Sequence, residues 1–326
     1  MIEDTVAQTG PDPAHFAGSS VAATVKRLFF ATRPSFFPAS VLPVLVGTAW
    51  GYAVAGEFRI MPFVLAVLAT VCVHAGANVL NDVGDEIGGS DRDNTDRIYP
   101  YTGGSRFIQN GIMTTQQMTI WGITLLVIAT LLGLGLIASS GTGVLLFGLV
   151  GVSLAVFYSL PRVQLSARGI GEATVALAFG TLPVMGAAWL QSGIVDLNAF
   201  LISLPVSMWV AAILLINEVP DIQADALAGK RTLPVRLGAR GSRNLYLALH
   251  IAAVLSVGIA VARDLLPWPA IAGTGVLMIL AIYASSGISL APDTRERLKK
   301  SIEMTLSVHT AGCLWVLGNI LYISLQ

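Results

Sequence analysis

The sequence predicts an all-α, polytopic membrane protein, and three observations carry that prediction. The chain has 326 residues, of which 54% are hydrophobic and only 12% charged, with mean hydropathy +0.73. A soluble domain averages roughly 25% charged residues. The apolar residues also fall into nine runs, at 36–55, 61–80, 118–138, 142–160, 170–191, 199–217, 243–262, 268–287 and 303–323. Each is near the ~20 residues a bilayer helix needs. Finally, an odd number of crossings sorts the cations. Seventeen of the nineteen Lys and Arg fall on the side that holds the N-terminus, and only Arg59 and Arg263 fall on the other. By the positive-inside rule the populated side is cytoplasmic and the C-terminus lies outside.

Taken in order, residues 1–20 are polar, with Pro, Gly and Ser, and lack a basic segment followed by an apolar core. This predicts a disordered tail over 1–25 rather than a secretory signal peptide, followed by one transmembrane domain over 26–326. The second span runs into NVLNDVGDEIGGSDRDNTDRIYPYTGGSR, Asn78 to Arg106. This stretch holds six of the nineteen acids: Asp82, Asp85, Glu86, Asp91, Asp93 and Asp96. If the span continues as a helix, Asn78, Asn81, Asp82 and Asp85 share one face. Two carboxylates and two amides converging at a membrane surface make a hard-oxygen site suited to Mg²⁺; the alternative is a solvated acidic loop. The fourth and fifth spans are rich in Gly and Ala, which permits close helix packing. Trp50, Trp189 and Trp268 fall near the outer ends of spans, where interfacial aromatics collect.

The sixth span ends in NEVPDIQADALAGKRTLPVRLG, Asn217 to Gly238. Asn217, Asp221 and Asp225 recur every four residues, so a helix aligns them, and Pro220 kinks that helix or marks its end. Gly229-Lys230-Arg231-Thr232 follows, as Gly103-Gly104-Ser105-Arg106 follows the first cluster. Asn81 and Asn217 are four spans apart, which returns the chain to the same membrane face. The pattern reads as two pseudo-repeated four-helix units whose acidic ends face each other.

Two acidic clusters with nearby Arg and Lys suit a diphosphate. Carboxylates alone repel such an anion. With bridging Mg²⁺ the carboxylates hold metal, the metal holds phosphate oxygens, and the cations take the remaining charge. The residues thus predict Mg²⁺-assisted ionisation of a lipid diphosphate at the cytoplasmic face. Zero net charge gives no sign of a nucleic-acid partner. Cys72 and Cys313 lie in apolar runs, as packing residues. The four histidines show no metal-ligand spacing, although His74, one turn before Asn78, stands where it could line the site. No Ser/His/Asp or Cys/His set for covalent catalysis is visible. Polar span ends also occur in transporters, whose sites lie nearer the midplane.

NDVGDEIGGSD and NEVPDIQAD resemble the two aspartate-rich motifs of UbiA-type intramembrane prenyltransferases, over nearly the whole chain from Arg33. The NDxGDxxxGSD run, Asp96-Arg97, RGIGE at Arg168 to Glu172 and AGKRTLPVRLG at Ala228 to Gly238 are similar to the 1,4-dihydroxy-2-naphthoate polyprenyltransferases of menaquinone synthesis. The resemblance implies an all-helical bundle around a central cavity in a bacterial or archaeal cell membrane. It implies prenyl transfer from a polyprenyl diphosphate to an aromatic acceptor, with 4-hydroxybenzoate, another quinone precursor or a lipid alcohol as alternatives to the naphthoate. By the same resemblance Asp82, Asp85, Asp221 and Asp225 hold Mg²⁺-diphosphate, and Asn78, Asn81 and Asn217 orient them or complete the metal shell. Arg106, Lys230 and Arg231 are candidates for diphosphate contacts, though the last two equally serve positive-inside topology. Tyr158 resembles a family tyrosine near the reacting carbon. Arg168 and Glu172 serve the acceptor side or lock their loop, and Asp91 and Asp96 order the loop over the site or are solvated. The chain departs from the pattern at Gly89, where the wider family often has Asp. Pro220 and Glu218 stand where many menaquinone-type members have Arg and Asn, and Arg106 also differs from some members. These departures bear on the acceptor more than on the reaction.

Overall fold

The computed structural model describes residues 10–89, 94, 97–160, 162–291 and 295–326. Among these there are helices and turns and no strand. A short 3₁₀ turn at Pro13–Phe16 leads to α1 (Val21–Ala31), capped by the Ser20 hydroxyl, which accepts from the Ala23 amide. Within the stretch expected to be a tail, 1–25, the described residues include this turn and the start of α1. Asn110 Nδ2 ties it down by donating to the Pro11 carbonyl at 2.8 Å.

The spans follow as α2 (Pro38–Ala55), α3 (Ile60–Gly88), α4 (Thr115–Ser140), α5 (Val144–Ser159), α6 (Gly171–Ser192), α7 (Leu197–Asn217), α9 (Leu233–Ala262), α10 (Pro269–Ser285) and α11 (Arg295–Ser324), with short α8 (Ile222–Leu227) between α7 and α9. Among the described residues seven helices are long and apolar enough to cross a membrane, counting α2 from Pro34. Two shorter apolar helices, α5 and α10, stand where the other two runs were expected. Local chemistry sets the ends. Thr114 and Gln117 form a reciprocal capping box on α4, Asp196 accepts from the Ala199 amide at the start of α7, and Gly56, Gly89 and Gly193 close helices in the left-handed region.

Packing places the site. α2 lies against α6, α3 against α4 and α5, and α7 against α9 and α11. Gly47 and Gly51 of α2 meet the backbone of Val184 and Ala188 so closely that any Cβ there collides. Trp209, 1% exposed, sits at the centre of the main core cluster with Val46, Val257, Val308 and Val316. Trp50 joins this core instead of anchoring at an interface, whereas Trp268 is exposed. Within α6 the segment Ala176–Thr181 winds as a π turn, and Gly180 lets it close on Ser207 of α7. Cys72 and Cys313 are free thiols.

Candidate active site

α3 continues as a helix well past the apolar run, ending at Gly88, so the amides and acids of the first cluster share a helical surface. Their side chains nonetheless part company. Asn81 and Asp85 face a polar cavity of about 120 Å³. Asn78 faces an adjoining apolar cavity of about 180 Å³, its Nδ2 donating to the Thr32 carbonyl at 3.0 Å. Asp82, 2% exposed, turns to the following loop, where its Oδ2 accepts from the Ser105 amide at 3.0 Å; its Oδ1 is buried with no hydrogen-bond partner.

The second cluster is not one continuous helix. α7 stops at Asn217, the chain turns through Glu218–Asp221, and α8 starts at Ile222. Pro220 thus marks an end rather than a kink. The Asp225 amide donates to the Asp221 carbonyl at 2.8 Å, which restores helical spacing for these two acids. Asn217, Asp221 and Asp225 line the same polar cavity as Asn81 and Asp85. Lys230 closes the ring, with its Nζ 2.8 Å from Asp85 Oδ1 and 3.1 Å from Asp225 Oδ1. Burial works against its charge, yet Asp85 and Asp225 hold the ammonium above its ordinary range. Burial, then the charge of Asp225, pushes the Asp221 carboxyl up to about 7, although Asn94 Nδ2 donates to its Oδ1 at 2.7 Å. Burial, then the charges of Glu172 and Asp225, pushes Glu218 well above the usual carboxylate range.

Tyr158 lines both the polar and the apolar cavity, as do Arg33, Asn81, Leu214 and Asn217. The apolar cavity shares Thr70, Val73, Gly151 and Ala178 with a third, of about 300 Å³, that reaches Leu190 and Trp189. His74 hydrogen-bonds Ser40 at 3.0 Å and packs on Phe37 and Phe179 at the wall of the apolar cavity.

Four expected site residues line neither cavity: Asp82, described above, and three arginines. Arg231 is exposed, with its amide on the Ala167 carbonyl. Arg106 is buried outside the cavity, in the left-handed region at φ 64°, beside Gly10. Arg168 donates to the carbonyls of Arg162 and Val163, which fits locking of its loop rather than contact with an acceptor. Asp91, Asp93 and Asp96 lie outside the described residues.

Other residues enter the site unannounced. Arg33, left-handed at φ 57°, donates from Nη2 to the Tyr101 carbonyl at 2.9 Å and stands where the polar and apolar cavities meet. The Arg33-Pro34 step was its only signal, since proline restricts the residue before it. Asn94 lies within the acidic run with no pattern that singles it out, and Glu218 stands out in the sequence only as a departure from the motif.

The donors of the polar cavity fit a hard cation in kind: carboxylate oxygens of Asp85, Asp221 and Asp225 and amide oxygens of Asn81 and Asn217, the last with a buried unpartnered oxygen. Among the described residues no three acidic, imidazole or thiolate groups cage one point by themselves.

Residues 40–308 match the model of the UbiA prenyltransferase family. The chain belongs to the UbiA prenyltransferase family. As a UbiA protein it is an integral membrane enzyme that transfers prenyl groups. It is 32% identical over 259 residues to a 1,4-dihydroxy-2-naphthoate octaprenyltransferase of Haemophilus influenzae, covering 77% of this chain and 80% of that protein. It is 30% identical over 233 residues to the Escherichia coli enzyme of the same name, covering 70% and 73%. Its fold matches a UbiA homologue from Archaeoglobus fulgidus bound to DMAPP and Mg²⁺, with TM-score 0.62 and 16% identity over 90% of this chain and 99% of that one.

Proposed function

We propose that the enzyme transfers a polyprenyl group from polyprenyl diphosphate to 1,4-dihydroxy-2-naphthoate, a step of menaquinone biosynthesis, with Mg²⁺ at the polar cavity. The observation that carries this reading is one cavity fed by both distant motifs, opening through Tyr158 and Arg33 into apolar space. The named relatives supply the acceptor, and the Archaeoglobus neighbour supplies the precedent for Mg²⁺ beside a prenyl diphosphate.

Asp85, Asp221 and Asp225 would hold the metal, with Asn81 and Asn217 at the edge. Mg²⁺, when bound, draws charge from the diphosphate and makes it a better leaving group. Lys230 and Arg33 take the remaining negative charge. The allylic C1–O bond breaks and its electron pair leaves with the diphosphate. Apolar walls formed by Val73, Leu154, Phe179 and Ile213 keep water from the cation, which the Tyr158 ring faces from the cavity mouth. The ring carbon that bears the carboxylate supplies the electron pair for the new C–C bond; its bond to the carboxylate then breaks, the pair returns to the ring and CO₂ departs. The cation distribution supports a site that faces the cytoplasm.

The test is incubation of purified protein with Mg²⁺, one polyprenyl diphosphate and a panel of acceptors, with products identified by mass. Prenylated, decarboxylated naphthoate is expected. Prenylation of 4-hydroxybenzoate alone would move the acceptor, and uptake into vesicles with no product would move the class.

A further inference from the structure

Beside the acids already placed lies a second carboxyl pair. Glu218 lines the polar cavity at the α7 turn. Glu172, in the first turn of α6, is 4% exposed and its carboxyl meets that of Glu218. A Cβ at Gly171 would stand 3.7 Å from Glu218 Oε1, which fixes how closely the two elements approach. Both oxygens of Glu172, Oε2 of Glu218 and Oδ1 of neighbouring Asn217 are buried without a hydrogen-bond partner. A proton shared between the two carboxyls satisfies one oxygen of each; the buried oxygens left over, with Asn217 Oδ1, face no donor of the protein and are costly to leave so. A ligand that brings hydroxyl donors satisfies them. A diphosphate brings only further acceptors and negative charge. The Tyr158 hydroxyl lies in the field of Glu218, Glu172 and Asp85, which places the patch at the junction with the apolar cavity.

We infer that Glu218, backed by Glu172, is the subsite for a ring hydroxyl of the aromatic acceptor. This rests on the acceptor class proposed above. The hydroxyl donates to Glu218, whose Oε2 keeps lone pairs even when the pair holds a proton between its carboxyls. Such a bond also raises electron density on the ring, at the moment the ring must attack a carbocation. Glu218 is then the contact and Glu172 its positioning residue.

The test uses two naphthoates that each lack one ring hydroxyl, and binding is read by the acceptor's own fluorescence as well as by turnover. Against the full-length protein, one of the two should bind roughly ten-fold or more weakly than 1,4-dihydroxy-2-naphthoate, the loss expected for one hydrogen bond to a charged group. Glu218→Leu should show the same loss for the parent acceptor, with KM for polyprenyl diphosphate unchanged. It should no longer distinguish the parent from that analogue. Glu218→Gln, which keeps an acceptor oxygen, should stay within a few-fold of the parent protein. Equal binding of the parent and both analogues by the unmutated protein overturns the subsite, and needs no variant to fold. So does a Glu218→Leu variant that raises both KM values together. Active protein with equal analogue binding sinks the subsite alone; protein that prenylates no aromatic acceptor sinks the subsite and the proposed function together.

Discussion

Lys230 is held between Asp85 and Asp225, carboxylates that are far apart in sequence and come from the two halves of the chain. All three side chains are largely withdrawn from solvent, at 13%, 15% and 9% exposure. Removing the cation leaves two acids opposed in a poor solvent. Lys230→Met should therefore lose roughly 3 kcal/mol of stability, visible as a lower melting temperature, and added Mg²⁺ should recover more of it than in the parent protein. An unchanged melting temperature would remove the lysine from the centre of the site. Asp85→Ala and Asp221→Ala should each abolish turnover while the protein still inserts and elutes normally; near-normal activity in both would refute the metal assignment. Asp221 gives the pH dependence. Burial, then Asp225, lifts its carboxyl to about 7. A protonated carboxyl cannot bind metal, so protons compete as pH falls through that value. The half-saturating Mg²⁺ concentration should be about ten-fold higher near pH 6 than near pH 8. A flat profile would show that Asp221 stays ionised or stays off the metal.

At the scale of elements, apolar runs made the spans legible, because lipid tolerates little else over ~20 residues. The acids of α3 and of the α7 turn were legible because charges at a span end are rare and grouped. The cations were harder to sort. Arg106, Arg168, Lys230 and Arg231 all satisfy the positive-inside rule equally well, so sequence cannot separate the one in the cavity from the three outside it. Nor could it show that Glu172 meets Glu218, or that Arg33 reaches Tyr101, since both contacts join distant segments. The π turn at Ala176–Thr181 left no periodic trace, because one extra residue hardly shifts an all-apolar pattern. The glycines of α2 carry a direct test. Gly47→Leu should split the α2–α6 contact, costing on the order of 1–3 kcal/mol as overpacking does, with a lower melting temperature in detergent. A variant as stable as its parent would mean the helices part freely.

For the whole molecule, the cation asymmetry predicts an orientation that labelling can test. Cysteine placed at Glu57 or Asp264 should react with a membrane-impermeant maleimide on intact cells, and cysteine at Lys300 only after permeabilisation. Cys72 is half-buried within α3 and Cys313 is buried, so the background is low. The reverse pattern would turn the site outward and away from the cytoplasm.

The glycine contact between α2 and α6 has a mechanical consequence. Backbones that already touch cannot yield, so that flank behaves as a fixed post. On α4 and α5, Gly133, Gly148 and Gly151 have no neighbouring atom where a Cβ would stand, and all three border the apolar chambers. The slack that borders the chambers lies on α4 and α5, and a guest too long for the chambers finds its least crowded way out there.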